Sequence, residues 1–219
     1  FRITVPEPAQ SGVAALLEEE GFRFEPEPFS ACCRRLTAEP RPLGSSLAAF
    51  FGLIYIQDRS SMLPPLALAP EKGAAVLDMC ASPGSKTGFL AQLVGPGGFV
   101  LANEVSHSRL FTLRQNLRVC NFLQAGTCSY EGQNIPLAPG SLRYIQLDPP
   151  CSGWGTAVKN PKVMALWHDD KVKPLIGLQR LLLRRAAELL APGGVVVYST
   201  CTTNSGENER QVEYAEACL

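Results

Sequence analysis

From about Ala74 the chain alternates short apolar runs with longer stretches whose apolar positions recur every three or four residues. The runs read as strands: "AAVLDM", "GGFVLANE", a weaker "GTCSY", "LRYIQLD" and "GVVVYSTC". Between them lie helical patterns. One runs to about Val94, and one spans about Ser106 to Asn121 with the serine as cap. A third, "PLIGLQRLLLRRAAELLAPGG", is strongly amphipathic and ends on its own stop signal, and "GENERQVEYAEACL" is helical to the end. Strands this apolar, alternating with helices, predict a doubly wound α/β domain whose parallel sheet is covered on both faces.

The first part of the chain reads differently. "FRITV" alternates like a strand, "SGVAALLEEEG" reads as a helix from a Ser11 cap to Gly21, and "FRFEPEPF" is extended, its prolines confining it to an edge. "TAEPRPLGSS" (Thr37 to Ser46) is the linker candidate. The expected division is a small α+β piece over 1–46, partial and RNA-binding-like, and the doubly wound domain over 47–219.

Composition narrows the classes. With 219 residues, 46% of them hydrophobic, the chain can bury a full core. Its formal net charge is zero, so no global basic field advertises a nucleic-acid partner, although a local patch suffices for one. Acid gathers early at Glu18, Glu19, Glu20, Glu25 and Glu27; base gathers late, between Lys159 and Arg185. The eight cysteines contain no Cys-x-x-Cys, and His107 and His168 are the only histidines, which argues against a metal site or a disulfide scaffold. Reduced thiols in a cytoplasmic protein are the expectation. No apolar run approaches the roughly 20 residues of a membrane span, and there is no signal-peptide pattern. The chain opens on Phe1 rather than Met and stops on its last helix, so missing residues are expected at the start and truncation at the end.

"LDMCASPGSKTGFL" joins the first strand of the array to its first helix, at the sheet edge where ligands bind in such folds. It is not a phosphate loop, because Ser85 separates the glycine from Lys86. Glu104 ends the second strand, 20 residues beyond Gly84, about where an acid accepts hydrogen bonds from ribose hydroxyls. A nucleoside-type ligand is the reading.

"DMCASPGSKT", "LDPPCSGWGT" and "YSTCTTNSGENE", in this order and spacing, resemble the RNA cytosine-5 methyltransferases of the Sun family. "GLIYIQDRSSMLPPLAL" and "LANEVSHSRL" further resemble the branch that methylates small-subunit (16S) ribosomal RNA in bacteria. The resemblance runs from about Gly52 to the C-terminus. It implies a Rossmann-like sheet of order 3-2-1-4-5 and S-adenosylmethionine as cofactor. The cofactor loop would be Cys80, Ala81, Ser82, Pro83, Gly84, Ser85 and Lys86, with Glu104 on the ribose, Arg109 beside it and Glu131 on the adenine side. Asp148 would stand between cofactor and base. The family usually has Asp where this chain has Glu131, and Asp-Ala-Pro-Cys where this chain has Asp-Pro-Pro-Cys.

Cytosine carbon 5 is too weak a nucleophile to take a methyl group unaided. A thiolate added to carbon 6 makes an enamine that can, and a base must then remove the carbon-5 proton. Cys151 and Cys201 both follow strand ends, and the residues alone do not rank them. The resemblance does: Cys201, of "Ser-Thr-Cys", is the nucleophile, Cys151 serves release of product, and Asp148 orients or protonates the pyrimidine edge. DNA cytosine-5 methyltransferases use the Pro-Cys sulfur instead, which is the rival within this chemistry. Cys32, Cys33, Cys120, Cys128 and Cys218 are read as small buried hydrophobes. The target base has to be single-stranded or flipped out, and Lys159 and Lys162 are the candidates for its phosphates, with Arg180 and Arg184 a weaker extension. Trp154 and Trp167 can stack on bases or pack. The alternatives are a 5-methylcytosine enzyme acting on tRNA or DNA, and a non-catalytic RNA-binding protein of this fold. The expected partner is RNA, and the expected state a monomer without metal or membrane.

Overall fold

The computed structural model describes residues 1–161, Val163 and 169–217. The N-terminal part forms a four-stranded sheet. Strand β1 (Arg2–Ile3) lies between β3 (Ser30–Ala38) and β4 (Ile54–Tyr55), and β2 (Arg23–Glu27) is the edge strand beside β3, as the prolines require. All these pairings are antiparallel. Helix α1 (Glu7–Glu19) packs on this sheet through Val13 and Leu17. It begins four residues before the expected Ser11, because Pro8 lies in its first turn, where a missing N–H costs nothing. Strand β3 was not foreseen: its polar Arg34-Arg35 pair breaks the alternation, yet Cys33 is fully buried and pairs with Arg2.

The expected linker is exposed over most of its length but anchored at Leu43 and Ser46. Ser46 is buried and caps α2 (Leu47–Phe50) by accepting the Ala49 N–H at 3.1 Å, and β4 then returns to the small sheet past position 46. Arg2 joins this sheet to the second one. It is fully buried, its guanidinium stands 4.9 Å from the Phe89 ring centre and 5.4 Å from that of Phe122, and it donates to Gln92.

After α3 (Leu63–Leu68) comes the five-stranded sheet, built from β5 (Ala75–Asp78), β6 (Phe99–Asn103), β7 (Ala125–Cys128), β8 (Leu142–Leu147) and β9 (Leu190–Tyr198). Its order is β7-β6-β5-β8-β9 and every pairing is parallel, which is the expected 3-2-1-4-5. Side chains alternate between two cores. Val76 and Tyr144 face α4 (Ser85–Val94) and α5 (His107–Val119), and Leu77, Ile145 and Leu147 face α6 (Asp169–Leu189). Helix α6 offers Leu182, Leu183, Ala186 and Leu189 along one stripe; burying each leucine contributes about 1.5–3 kcal/mol. Helix α7 (Glu209–Glu216) ends the described chain. Ser106 stands at the N-cap of α5, but its hydroxyl meets Ser108 Oγ at 3.1 Å rather than the helix N–H groups. The order of the strands reverses between β5 and β8. Loops after those two strands therefore open on one crevice, and the next strand out, β9, adds its own.

Candidate active site

The loop after β5 is fixed from beneath. Thr87 Oγ1 donates to Asp78 Oδ2 at 2.7 Å, and burial pushes the Asp78 carboxyl up to about 6 against the pull of Thr87 and Lys86. Gly84 turns the chain into α4 at φ +105, where a side chain is strained and a Cβ would stand 3.0 Å from Leu113. Asn103 ties the neighbouring loops: its Nδ2 donates to the carbonyls of Met79 at 3.1 Å and Tyr130 at 2.9 Å, and its Oδ1 accepts the Tyr130 N–H at 2.8 Å.

Beside these loops lies a cavity of about 240 Å³, lined among others by Cys80, Glu104, Val105, Arg109, Glu131 and Leu182. Glu104 is 3% exposed; its Oε1 accepts the Ser106 N–H at 2.9 Å and its Oε2 lies 3.5 Å from Arg109. Arg109 also donates to the Ser82 carbonyl at 2.9 Å, and Ser82 Oγ returns a bond to the Arg109 carbonyl at 3.0 Å. Opposite, a Cβ on Gly132 would come within 2.4 Å of Leu182, so glycine keeps the slot open. The slot suits a nucleoside: apolar walls for a base, and a buried carboxylate for a diol. Glu131 holds its own turn by accepting from Asn134 Nδ2 at 2.8 Å.

The other expected loop residues stand elsewhere. Ala81 is buried in the core, the Pro83 carbonyl accepts from Asn116 at 2.8 Å, Ser85 opens α4, and Lys86 turns to the loop after the neighbouring strand β8. Lys86 Nζ meets Asp148 Oδ2 at 2.6 Å, and Ser199 donates to Asp148 Oδ1 at 3.1 Å.

Here the two cysteines meet. Cys151 Sγ and Cys201 Sγ are 3.3 Å apart although 50 residues separate them. Cys201 is exposed and Cys151 half-buried. The Cys151 thiol, as hydrogen-bond donor, is the main influence lowering Cys201 to about 7, opposed by burial and Asp148 and helped by Lys86. The Cys151 thiol is pushed up, first by that bond and then by burial. The contact thus favours the thiolate on Cys201 and the thiol on Cys151. Gly155 donates its N–H to the Cys201 carbonyl at 2.9 Å, and Thr200 Oγ1 bonds Asn208 Oδ1 at 2.6 Å, so the Cys201 loop is held from both sides.

Sequence reasoning missed the acid that reaches this crevice. In "SGENE" the exposed Glu209 begins α7, whereas Glu207 is fully buried and accepts the Ser152 N–H at 2.9 Å. Gln179, on the buried stripe of α6, donates to Glu207 at 3.0 Å and to the Pro150 carbonyl at 2.9 Å. A glutamine among leucines on a helix face was the available signal.

On the proposed RNA side, Lys159 pairs with Asp58, both side chains exposed. Lys162, Trp167, His168 and Cys218 lie outside the described residues. Trp154 is half-buried in a short turn of 3-10 helix, and His107 opens α5, exposed. Arg180 lies over the Tyr214 ring at 5.2 Å and Arg184 bonds its hydroxyl at 3.1 Å, so both pack against α7. Cys33 is buried, and Cys32, Cys120 and Cys128 are half-buried.

The family profile described as 16S rRNA methyltransferase RsmB/F matches residues 65–217. Ribosomal RNA small subunit methyltransferase F of Serratia proteamaculans is 41% identical over 203 residues, covering 90% of this chain and 42% of that protein. Its counterpart in Shewanella amazonensis is 38% identical over 213 residues, covering 95% and 46%. The chain therefore spans less than half the length of these relatives. Among solved structures, a methyltransferase homologue from Pyrococcus horikoshii superposes with a TM-score of 0.85 at 35% identity, over 99% of this chain and 68% of the other. NSun6 from Pyrococcus horikoshii, crystallised with SFG, gives 0.75 at 29% identity, over 81% and 45%.

Proposed function

The chain belongs to the RsmB/F family of 16S rRNA methyltransferases, and from that premise we propose that it forms 5-methylcytosine in small-subunit ribosomal RNA through a Cys201–cytosine adduct. The observation that carries this is the contact of the two sulfurs at 3.3 Å, with Asp148 and Lys86 acting on Cys201 beside the nucleoside-sized slot. S-adenosylmethionine would be held by Glu104 and the walls of that slot and would supply a methyl group on a positive sulfur, a neutral thioether being what departs.

Cys201 adds to carbon 6, and the ring's electron pair moves toward carbon 5 and the N3 edge, where Asp148 and Lys86 orient the base. Carbon 5 takes the methyl group. Cys201 is now a thioether, so the thiolate that kept the Cys151 proton in place is gone and Cys151 ionises more readily. Cys151 gives its own proton to water and, as thiolate, takes the carbon-5 proton; the double bond re-forms and the Cys201 thiolate leaves. Lys159 and Lys162 are assigned to the RNA backbone, and the N-terminal piece to RNA binding. The protein acts as a monomer in the cytoplasm, without a metal.

The test is transfer of labelled methyl from S-adenosylmethionine to small-subunit RNA by the full-length protein, with a denaturing gel for protein–RNA adducts. Cys201→Ala should be inactive and adduct-free, while Cys151→Ala should accumulate adduct. Loss of adduct with Cys151→Ala alone would place the nucleophile on the Pro-Cys sulfur and refute the assignment.

A further inference from the structure

We propose, resting on the reaction above, that Glu207 is a positioning residue: its buried carboxylate clamps Ser152 and so holds the Cys151 sulfur against the Cys201 sulfur. Glu207 is 0% exposed and no ion pair involves it among the described residues. Its partners are neutral donors. Oε1 accepts the Ser152 N–H at 2.9 Å and Gln179 Nε2 at 3.0 Å, and Oε2 accepts the Ser152 hydroxyl. Burying a carboxylate is costly unless it is fully hydrogen-bonded, so its place here calls for a reason.

The reason lies in what it joins. Ser152 follows Cys151, and its hydroxyl also meets Thr202 Oγ1, the residue after Cys201, at 2.6 Å. Gln179 holds Pro150, the residue before Cys151, through its carbonyl at 2.9 Å. The backbone of Glu207 is fixed in turn by Tyr198, whose hydroxyl donates to its carbonyl at 2.8 Å from the end of β9. The carboxylate thus fixes Ser152 beside Cys151, and through the Ser152 hydroxyl ties that segment to Thr202 beside Cys201. Neither cysteine touches Glu207. Its effect passes through the separation of the sulfurs, which governs both the ionisation of Cys201 and the reach of Cys151 to the carbon-5 proton.

A plain loop tie would change only stability. A positioning role predicts more for Glu207→Gln in the full-length protein, which keeps the shape but turns an amide donor toward Ser152. Turnover on small-subunit RNA should fall by about 100-fold, the usual consequence of an ångström of misplacement, with S-adenosylmethionine affinity within about twofold of wild type. The RNA adduct should persist, and the midpoint of Cys201 alkylation by iodoacetamide should move from about 7 toward the ordinary thiol value of about 8.5. Ser152→Ala, which removes only the hydroxyl arm, should move both in the same direction by less. A folded Glu207→Gln with the wild-type alkylation profile would overturn the proposal, as would a loss confined to cofactor affinity. If wild type forms no adduct with the RNA, the reaction assigned above fails; the alkylation profiles still decide the clamp.

Discussion

Replacing Cys151 by alanine removes the thiol that touches Cys201 at 3.3 Å. That contact is the largest of the influences on Cys201; burial and Asp148 oppose it, and only weaker ones, such as Lys86, support it. Without it the opposing pair prevails, and Cys201 should titrate near or above about 8.5, the ordinary thiol value, instead of about 7. At pH 7 the thiolate fraction would then fall from about one half to about 3%, roughly fifteenfold. Cys201 is open to water, which screens its neighbours, so the measurable fall is set at about 3- to 15-fold. The sign is fixed: a lowered pKa favours thiolate, and losing its cause must slow any thiolate reaction at neutral pH and leave it unchanged well above pH 9. The assay is the rate of iodoacetamide modification of the Cys201 peptide between pH 6 and 10, read by mass spectrometry in wild type and Cys151→Ala. Coincident profiles would refute the view that Cys151 activates its neighbour.

Lys86→Met should leave Asp148 without its cation and raise the Cys201 midpoint, lowering single-turnover methyl transfer by about 100-fold or more; a change under about threefold would remove Lys86 from the chemistry. Glu104→Gln should weaken S-adenosylmethionine binding by about 10- to 100-fold in calorimetry, the value of a charged hydrogen bond, while unaltered affinity would place the ribose elsewhere. Gly155→Ala puts a methyl group 2.9 Å from the Cys201 carbonyl, on backbone that cannot swing aside; it should cost about 1–3 kcal/mol in urea unfolding and suppress transfer. Asp78 titrates at about 6 when folded against 3.8 unperturbed, so its ionisation costs folding stability at neutral pH, a cost of about 3 kcal/mol that disappears as pH falls below about 4. Asp78→Asn should therefore flatten the stability profile between pH 4 and 6, and parallel profiles would count against a buried charge there.

The five-stranded sheet was legible because its inner strands β5, β6 and β8 are buried along most of their length. "VL" of β5 and "YI" of β8 are apolar and buried, with Asp78 and Gln146 the buried polar positions beside them, and Gly, Pro or Asn punctuates most of the connections between elements. The small sheet was less so. Strand β3 carries Arg34 and Arg35 side by side, and its burial rests on Cys33 alone, so no period of two stands out. Helix α1 was entered late because Ser11 imitates a cap, whereas Pro6 and Pro8 set the true start through backbone geometry. The two misses differ in origin: the start of α1 is decided locally by its prolines, whereas β3 is decided by a distant partner, Arg2 against Cys33.

The same distinction runs through the candidate site. Cysteines, glycines and acids next to strand ends could be nominated from their positions, because a doubly wound sheet delivers strand ends to one edge. Their charges could not be paired. Lys86 reads as part of a cofactor loop, yet one helical residue beyond Ser85 is enough rotation to carry its ammonium across to Asp148, just after the neighbouring strand β8. Glu207 and Glu209 stand two apart in one motif, and only the helix start between them decides that one is buried and the other solvated. A motif therefore marks which residues arrive at the crevice, and the rotation of each local turn decides what they do there. The consequence is chemical. Cys151 and Cys201 are equivalent as letters after strands, but one lies half-buried with its thiol pushed up and the other exposed and lowered, and the proposed division into base and nucleophile rests on that asymmetry.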